Sequence, residues 1–179
     1  GFARCVGDAD GISVSLWSAR YRDRCIVNVK WRAMKAHASV IEHVDEILNT
    51  DLTAVNQYYQ HARMLKDWGF KRLAERVYEE SVGEMKHADL IVERVLLLDG
   101  LPNLQDLGRL RIGQTVPEML ESDLGLETTN QTELKAAIVV CEENQDYVSR
   151  IIFSKILDDT EEHIAVAYTH LTLPKILIG

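Results

Sequence analysis

Glu84-Met85-Lys86-His87 decides how this chain is read; it lies inside a long amphipathic segment running from about Lys71 to Asp99. On a helix, a carboxylate and an imidazole three residues apart share one face and reach the same small ion. Met85 lies about 100° round the helix from Glu84 and about 160° from His87, so its thioether points away from that pair. One turn therefore offers a hard, metal-type pair on its inner side and a soft sulfur on its outer side. The segment reads as a helix over about 70–98, stopped by Gly100 with Pro102 two residues beyond. It carries a second, outer stripe: Tyr78, Val82, Met85, Val92 and Leu96.

Working outward, the preceding segment opens on what reads as a capping box, Ser39-Val40-Ile41-Glu42. Ile47, Asp51, Ala54, Tyr58 and Leu65 then keep helical spacing on one face until Trp68-Gly69 breaks it. Leu52, Val55, Asn56 and Tyr59 form a second stripe beside the first. A helix apolar on two faces needs more than its own bundle to cover it, which predicts a subunit interface.

Downstream, residues 100–114 (GLPNLQDLGRLRIGQ) lack periodicity and read as a long connection. Thr115-Val116-Pro117-Glu118 is a capping box with proline in the first turn. It opens a third helix to about Glu143, intrinsically weak around Gly125, Thr128, Thr129 and Asn130. A fourth helix begins after Asn144-Gln145-Asp146, with Tyr147, Ile151, Ile156 and Ile164 among its apolar positions. Two long helices, a long crossover and two more helices predict an all-α, antiparallel four-helix bundle whose second and third helices run parallel. No strand pattern competes within 34–164.

Both ends differ from this middle. Residues 1–33 lack sustained periodicity; Gly11 to Trp17 alternate like a strand but have no evident partner. They read as translated upstream sequence or a cloning remnant before Met34, an extension outside the fold. Residues 165–179 (AVAYTHLTLPKILIG) carry no acid and read as an unrelated tail on a fourth helix cut short at Ile164.

The net charge of −8 is unevenly placed: +3 in residues 1–33, −12 in 34–164 and +1 in the tail. The acidic middle argues against nucleic acid and suits a cation-handling protein, although an acidic solvated surface would look the same. Cys5, Cys25 and Cys141 show neither disulfide nor zinc spacing, which points to a reducing compartment, and the cytoplasm is the expectation. No apolar run has the length of a membrane span.

A lone Glu-x-x-His is usually a solvated or salt-bridged pair. Here it has company on every other predicted helix: Asp51 on the first, Glu127 on the third and His163 on the fourth. Di-iron carboxylate bundles take one carboxylate from each of two helices and Glu-x-x-His from the other two, a known pattern against which this chain is matched. The match is incomplete. The fourth helix reads Thr160-Glu161-Glu162-His163, with threonine where the carboxylate belongs. Glu161 and Glu162 stand on the wrong faces, and Asp159 is on a usable face but short and displaced. Asp51 is one methylene shorter than glutamate. A symmetric dimer over the outer stripes would bring two Met85 thioethers together, enough to ligate one haem iron from both sides, although methionine on an apolar face is mostly packing.

Several segments carry a closer resemblance: Asn56-Gln57-Tyr58, His61-Ala62-Arg63-Met64, Asp67-Trp68-Gly69, Glu84-Met85-Lys86-His87-Ala88-Asp89, 100–108 (GLPNLQDLG) and Asp146-Tyr147-Val148-Ser149-Arg150. Residues 34–164 resemble bacterioferritin, the haem-containing bacterial ferritin. The resemblance implies a 24-subunit shell built from two-fold dimers, and Fe(II) oxidised by dioxygen or peroxide at a di-iron centre of Asp51, Glu84, His87, Glu127 and His163. It also implies a ferric mineral stored inside, haem b held between paired Met85 residues, and a ferredoxin-type reductant for iron release.

Departures from the family qualify this. Asp51 and Thr160 stand where catalytic subunits have glutamates, and the glutamate lost at Thr160 would bridge both irons. An inner-surface iron site of some members aligns with Glu79 and Gly83 and is expected to be missing. The resemblance is read to end at Ile164, without the family's short fifth helix. One expectation is therefore a ferroxidase of reduced activity; its alternative is a haem-binding structural subunit beside a catalytically complete partner. A rubrerythrin would need four clustered cysteines, and a metal-free bundle would bind neither iron nor haem.

Overall fold

The computed structural model describes residues 13–14, 27–28 and 36–172. The chain divides into two units, 1–33 and 34–179. In the first, β1 (Ser13–Val14) pairs antiparallel with β2 (Val27–Asn28), Ser13 opposite Asn28. The strand-like alternation near Trp17 therefore does have a partner, fourteen residues downstream, which periodicity alone did not expose.

The second unit is an all-α bundle: α1 (Ala38–Asp67), α2 (Lys71–Leu97), α3 (Val116–Glu143) and α4 (Tyr147–Thr172). Partners across the helices run in opposite order. Thr50 bonds Glu133 and His61 bonds Asp123, while His87 meets Asp159 and Arg94 meets Ser149. So α1 is antiparallel to α3 and α2 to α4, and the crossover leaves α2 and α3 parallel, as the sequence predicts. No helix of the described residues is long and apolar enough to cross a membrane.

The first three helices end by one shared device. Gly69, Asp99 and Gln145 have φ of 91°, 62° and 58°, and the next residue's N–H reaches back to Leu65, Val95 and Cys141 carbonyls at 3.0, 2.9 and 2.8 Å. This left-handed stop satisfies carbonyls that lack a helical partner. The expected role of Gly100 shifts by one residue, since Asp99 takes the positive φ. Gly100 is small for another reason: a Cβ there would lie 2.8 Å from the Val95 side chain. The start of α1 shifts too. His37, not Ser39, is the N-cap, its Nδ1 accepting from the Ser39 N–H.

α3 passes unbroken through Gly125–Asn130 despite weak propensity. Thr128, Thr129 and Thr132 each bond the carbonyl four residues back, and its inner stripe of Met119, Asp123, Glu127, Asn130, Leu134 and Ala137 is buried. Tertiary support overrides local preference. α4 is not cut at Ile164 but continues to Thr172, two residues before Pro174, which disfavours helix at the residue preceding it. Its buried side is Ser149, Phe153, Ile156 and Thr160; Tyr147 and Ile151, expected among its apolar positions, are more than half exposed.

A polar ladder on α1 fixes the crossover. Asn49, Thr53, Gln57 and His61, four residues apart, bond in turn to Asp106 O, Gly108 N, Arg111 N and Gly113 N at 2.7–3.2 Å. Gly113 approaches α3 so closely that a Cβ would lie 2.3 Å from Met119 N. Two apolar cores result. One gathers Val44, Ile47, Ile91, Leu134, Phe153 and Ile156; the other gathers Ala54, Leu65, Val77 and Met119 around Tyr58. Burying each large apolar side chain contributes roughly 1.5–3 kcal/mol, so the two cores can hold a costly polar layer near the middle of the bundle.

Candidate metal centre

That layer is where four helices deliver the predicted residues. Asp51 of α1, Glu84 of α2 and Glu127 of α3 are almost fully buried, and His87 nearly so; His163 of α4 closes the set. Their ligand atoms form two overlapping groups, Asp51–Glu84–His87 and Glu84–Glu127–His163, each with its atoms within 4.8 Å of one another. Glu84 belongs to both. The arrangement could hold two cations with one carboxylate between them.

The two imidazoles are oriented alike. His87 turns Nδ1 to Glu84 (3.4 Å) and Nε2 to Asp159 (3.0 Å). His163 turns Nδ1 to Glu84 and Glu127 (3.4 Å each) and Nε2 to Glu80 (2.5 Å). An outer carboxylate fixes the tautomer and orientation of a ligating histidine and makes it a better donor. Asp159 meets the far nitrogen of His87, on the side of the ring away from Glu84. Glu80, itself paired to Arg76 at 2.8 Å, does the same for His163. Thr160 is fully buried, its hydroxyl without a hydrogen-bond partner among the described residues.

Asn130 and Tyr58 complete the surroundings. The Asn130 amide donates to Asp51 Oδ1 at 3.0 Å, and the Tyr58 hydroxyl donates to Glu127 Oε1. Neither contact was expected from the sequence, though both residues stand at helical spacing from a predicted ligand: Asn130 three after Glu127, and Tyr58 seven after Asp51.

The electrostatics are those of crowded buried acids. Burial, then the charge of Glu84, hold the Asp51 carboxyl well above the usual range, partly offset by the Asn130 amide. Glu127 is raised chiefly by burial, against the opposing bond from His163. Burial also acts on Glu84, but hydrogen bonds from His163 and His87 outweigh it and leave that carboxyl lowered. His163 is pushed up to about 12: burial opposes its charge, and bonds to Glu127, Glu80 and Glu84 overcome it. Burial and Glu127 push the Tyr58 phenol well up, so it stays a donor.

Four buried side-chain oxygens here have no hydrogen-bond partner among the described residues, Asp51 Oδ2, Glu127 Oε2, Asn130 Oδ1 and Thr160 Oγ1, while Glu84 Oε1 is met by the His163 ring at 3.4 Å. Bare buried acceptors are costly unless something meets them. Oxygen donors with two imidazoles suit iron, so the residues present fit a two-iron centre. A cavity of about 50 Å³ lined by Tyr58, Glu80, Glu127 and His163 abuts it. A larger one, about 950 Å³, lies between the crossover and α3 and includes none of the five ligand residues.

Met85 faces the other way, as predicted, and is half exposed. It lines a hollow of about 610 Å³ with Leu52, Val55, Tyr59, Tyr78 and Val82. An apolar wall with one thioether fits one side of a haem site.

With this geometry in view, relatives become informative. A family model for the ferritin-like domain matches residues 41–176. Bacterioferritin of Mycobacterium leprae is 46% identical over 140 residues, covering 78% of this chain and 88% of the relative. The chain belongs to the bacterioferritin family. Bacterioferritin of Brucella melitensis is 44% identical over the same length, and a bacterial ferritin of Synechocystis 43% over 129 residues, 72% of this chain and 83% of that one. The family match runs past Ile164, where the resemblance was expected to end, in keeping with the continuation of α4.

Proposed function

We propose that this chain is a bacterioferritin subunit in intracellular iron storage, with a ferroxidase centre of reduced activity. The observation that carries this is the convergence of Asp51, His87, Glu127 and His163 on Glu84, with bare buried oxygens between them. Fe(II) is the substrate. Asp51, Glu84 and His87 bind one ion and Glu84, Glu127 and His163 the other. Two ions together supply the two electrons that dioxygen or peroxide takes up. Asp159 and Glu80 orient the imidazoles, and Tyr58 holds Glu127. Thr160 is the weak point, because Glu84 alone must bridge the pair.

Assembly into a 24-subunit shell, a ferredoxin-type reductant and haem b at Met85 belong to the same proposal. Met85 is the residue that would hold haem, jointly with Met85 of a second copy; haem would supply a one-electron path to the stored mineral. The orphaned Thr160 hydroxyl favours a second reading: a haem-carrying subunit that relies on a complete partner for oxidation.

Aerobic Fe(II) oxidation by the full chain and by Thr160→Glu, with the haem absorption band followed in the same samples, separates these readings. Slow saturable oxidation, accelerated at least about tenfold by the restored acid, is the expected result; that is the scale on which even outer partners act at metal sites. Oxidation no faster than buffer in the native chain, with haem bound and Thr160→Glu active, would favour the partner-dependent subunit. Fast native oxidation that Thr160→Glu does not change would overturn the reduced-activity claim.

A further inference from the structure

Asn130 does something the predicted ligand set does not require. It sits on α3 one turn beyond Glu127 and is 2% exposed; its side-chain N–H is the only hydrogen-bond donor described for Asp51. Asp51 is about 1.5 Å shorter than a glutamate would be. Left free, a short carboxylate among Glu84, Glu127 and Glu133, whose charges all bear on it, would turn away from the other acids. The amide bonds Oδ1 and leaves Oδ2 as the oxygen of this carboxylate without a hydrogen-bond partner among the described residues. It does so without adding another negative charge. The amide orientation is set by the contact, since the flipped form would place two acceptors together. Its own Oδ1 is a second buried acceptor without a partner, beside the same carboxylate.

We propose that Asn130 is a positioning residue that aims Asp51 at the first cation, so that the Asp51–Asn130 pair, split between α1 and α3, serves as one longer acid would. This rests on the two-cation reading of the centre. The second half, Glu84–Glu127–His163, has no such need, because Glu127 is a full-length acid that the Tyr58 hydroxyl already holds.

Co(II) titration of the full chain, read by its visible bands and by stoichiometry, tests this without relying on activity. The native chain binds two ions per subunit. Asn130→Ala keeps one and binds the other about tenfold more weakly, with altered bands. Adding Asp51→Glu to Asn130→Ala recovers most of that loss, because the longer acid no longer needs the amide. Asn130→Ser, whose short hydroxyl cannot span the gap, behaves as Asn130→Ala does and guards against a variant that fails to fold. A purely structural asparagine would lower the melting temperature of the metal-free chain and leave the ratio of the two affinities unchanged; that outcome, or a loss not recovered by Asp51→Glu, overturns the inference alone. A native chain that binds no Co(II) would overturn it together with the two-cation reading.

Discussion

The two halves of the centre share Glu84 and little else. The first is built from a short acid held by a neutral amide, with its histidine backed by Asp159, whose side chain is nearly half exposed. The second has a full-length glutamate held by a phenol, and its histidine is backed by Glu80, more deeply buried and anchored to Arg76. The ligands of the second half are more fully supported, while the first depends on contacts that are longer or open to water. On the proposed reading Thr160 offers only a hydroxyl between the halves. Unequal binding of two ions is what that reading predicts, and it can be broken or sharpened experimentally.

The largest effect is expected from removing what the halves share. Glu84→Ala should abolish tight binding of both ions, taking Co(II) stoichiometry from about two per subunit to none, because each group keeps only one carboxylate. Retention of one tight ion would show that the halves are independent.

A smaller and directional effect follows from the outer carboxylates. Glu80→Gln should weaken the second ion and Asp159→Asn the first, by about 10- to 100-fold and with the smaller loss for exposed Asp159. Equal losses would remove the contrast.

The smallest effect is a slope with pH. His163 goes from 6.5 to about 12 on folding, so as a cation it stabilises the metal-free chain fully below pH 6.5, and this contribution is lost as pH rises toward 12. His163→Gln should therefore lower the melting temperature more at pH 6 than at pH 9. Binding of the second ion, which must displace that proton, should strengthen over the same range. Parallel pH profiles for native and variant chains would contradict this.

Spacing put Asp51, Glu84, His87, Glu127 and His163 on inward helix faces, the di-iron pattern singled them out, and the structure brings them within reach of one another. Spacing also put Met85 on the opposite face, and caps, stops and stripes marked the four helices. Asp159 is different: its helical position was legible, but its target, the far nitrogen of His87 on another helix, was not. Asn130 looked like a helix weakener for the same reason. Local propensity registers its backbone cost, whereas its value lies in reaching Asp51 across the bundle.

What the sequence by itself determined is periodic: which residues share a face, where the first three helices stop, and which residue types could bind a cation. Only the tertiary structure decided the pairings between helices: Glu84 common to two groups, Asp51 held by Asn130, and the strap of residues 106–113 gripped by the ladder on α1. These are contacts between residues as many as about eighty positions apart, set by helix packing and crossover path, and no periodicity along the chain encodes which one meets which.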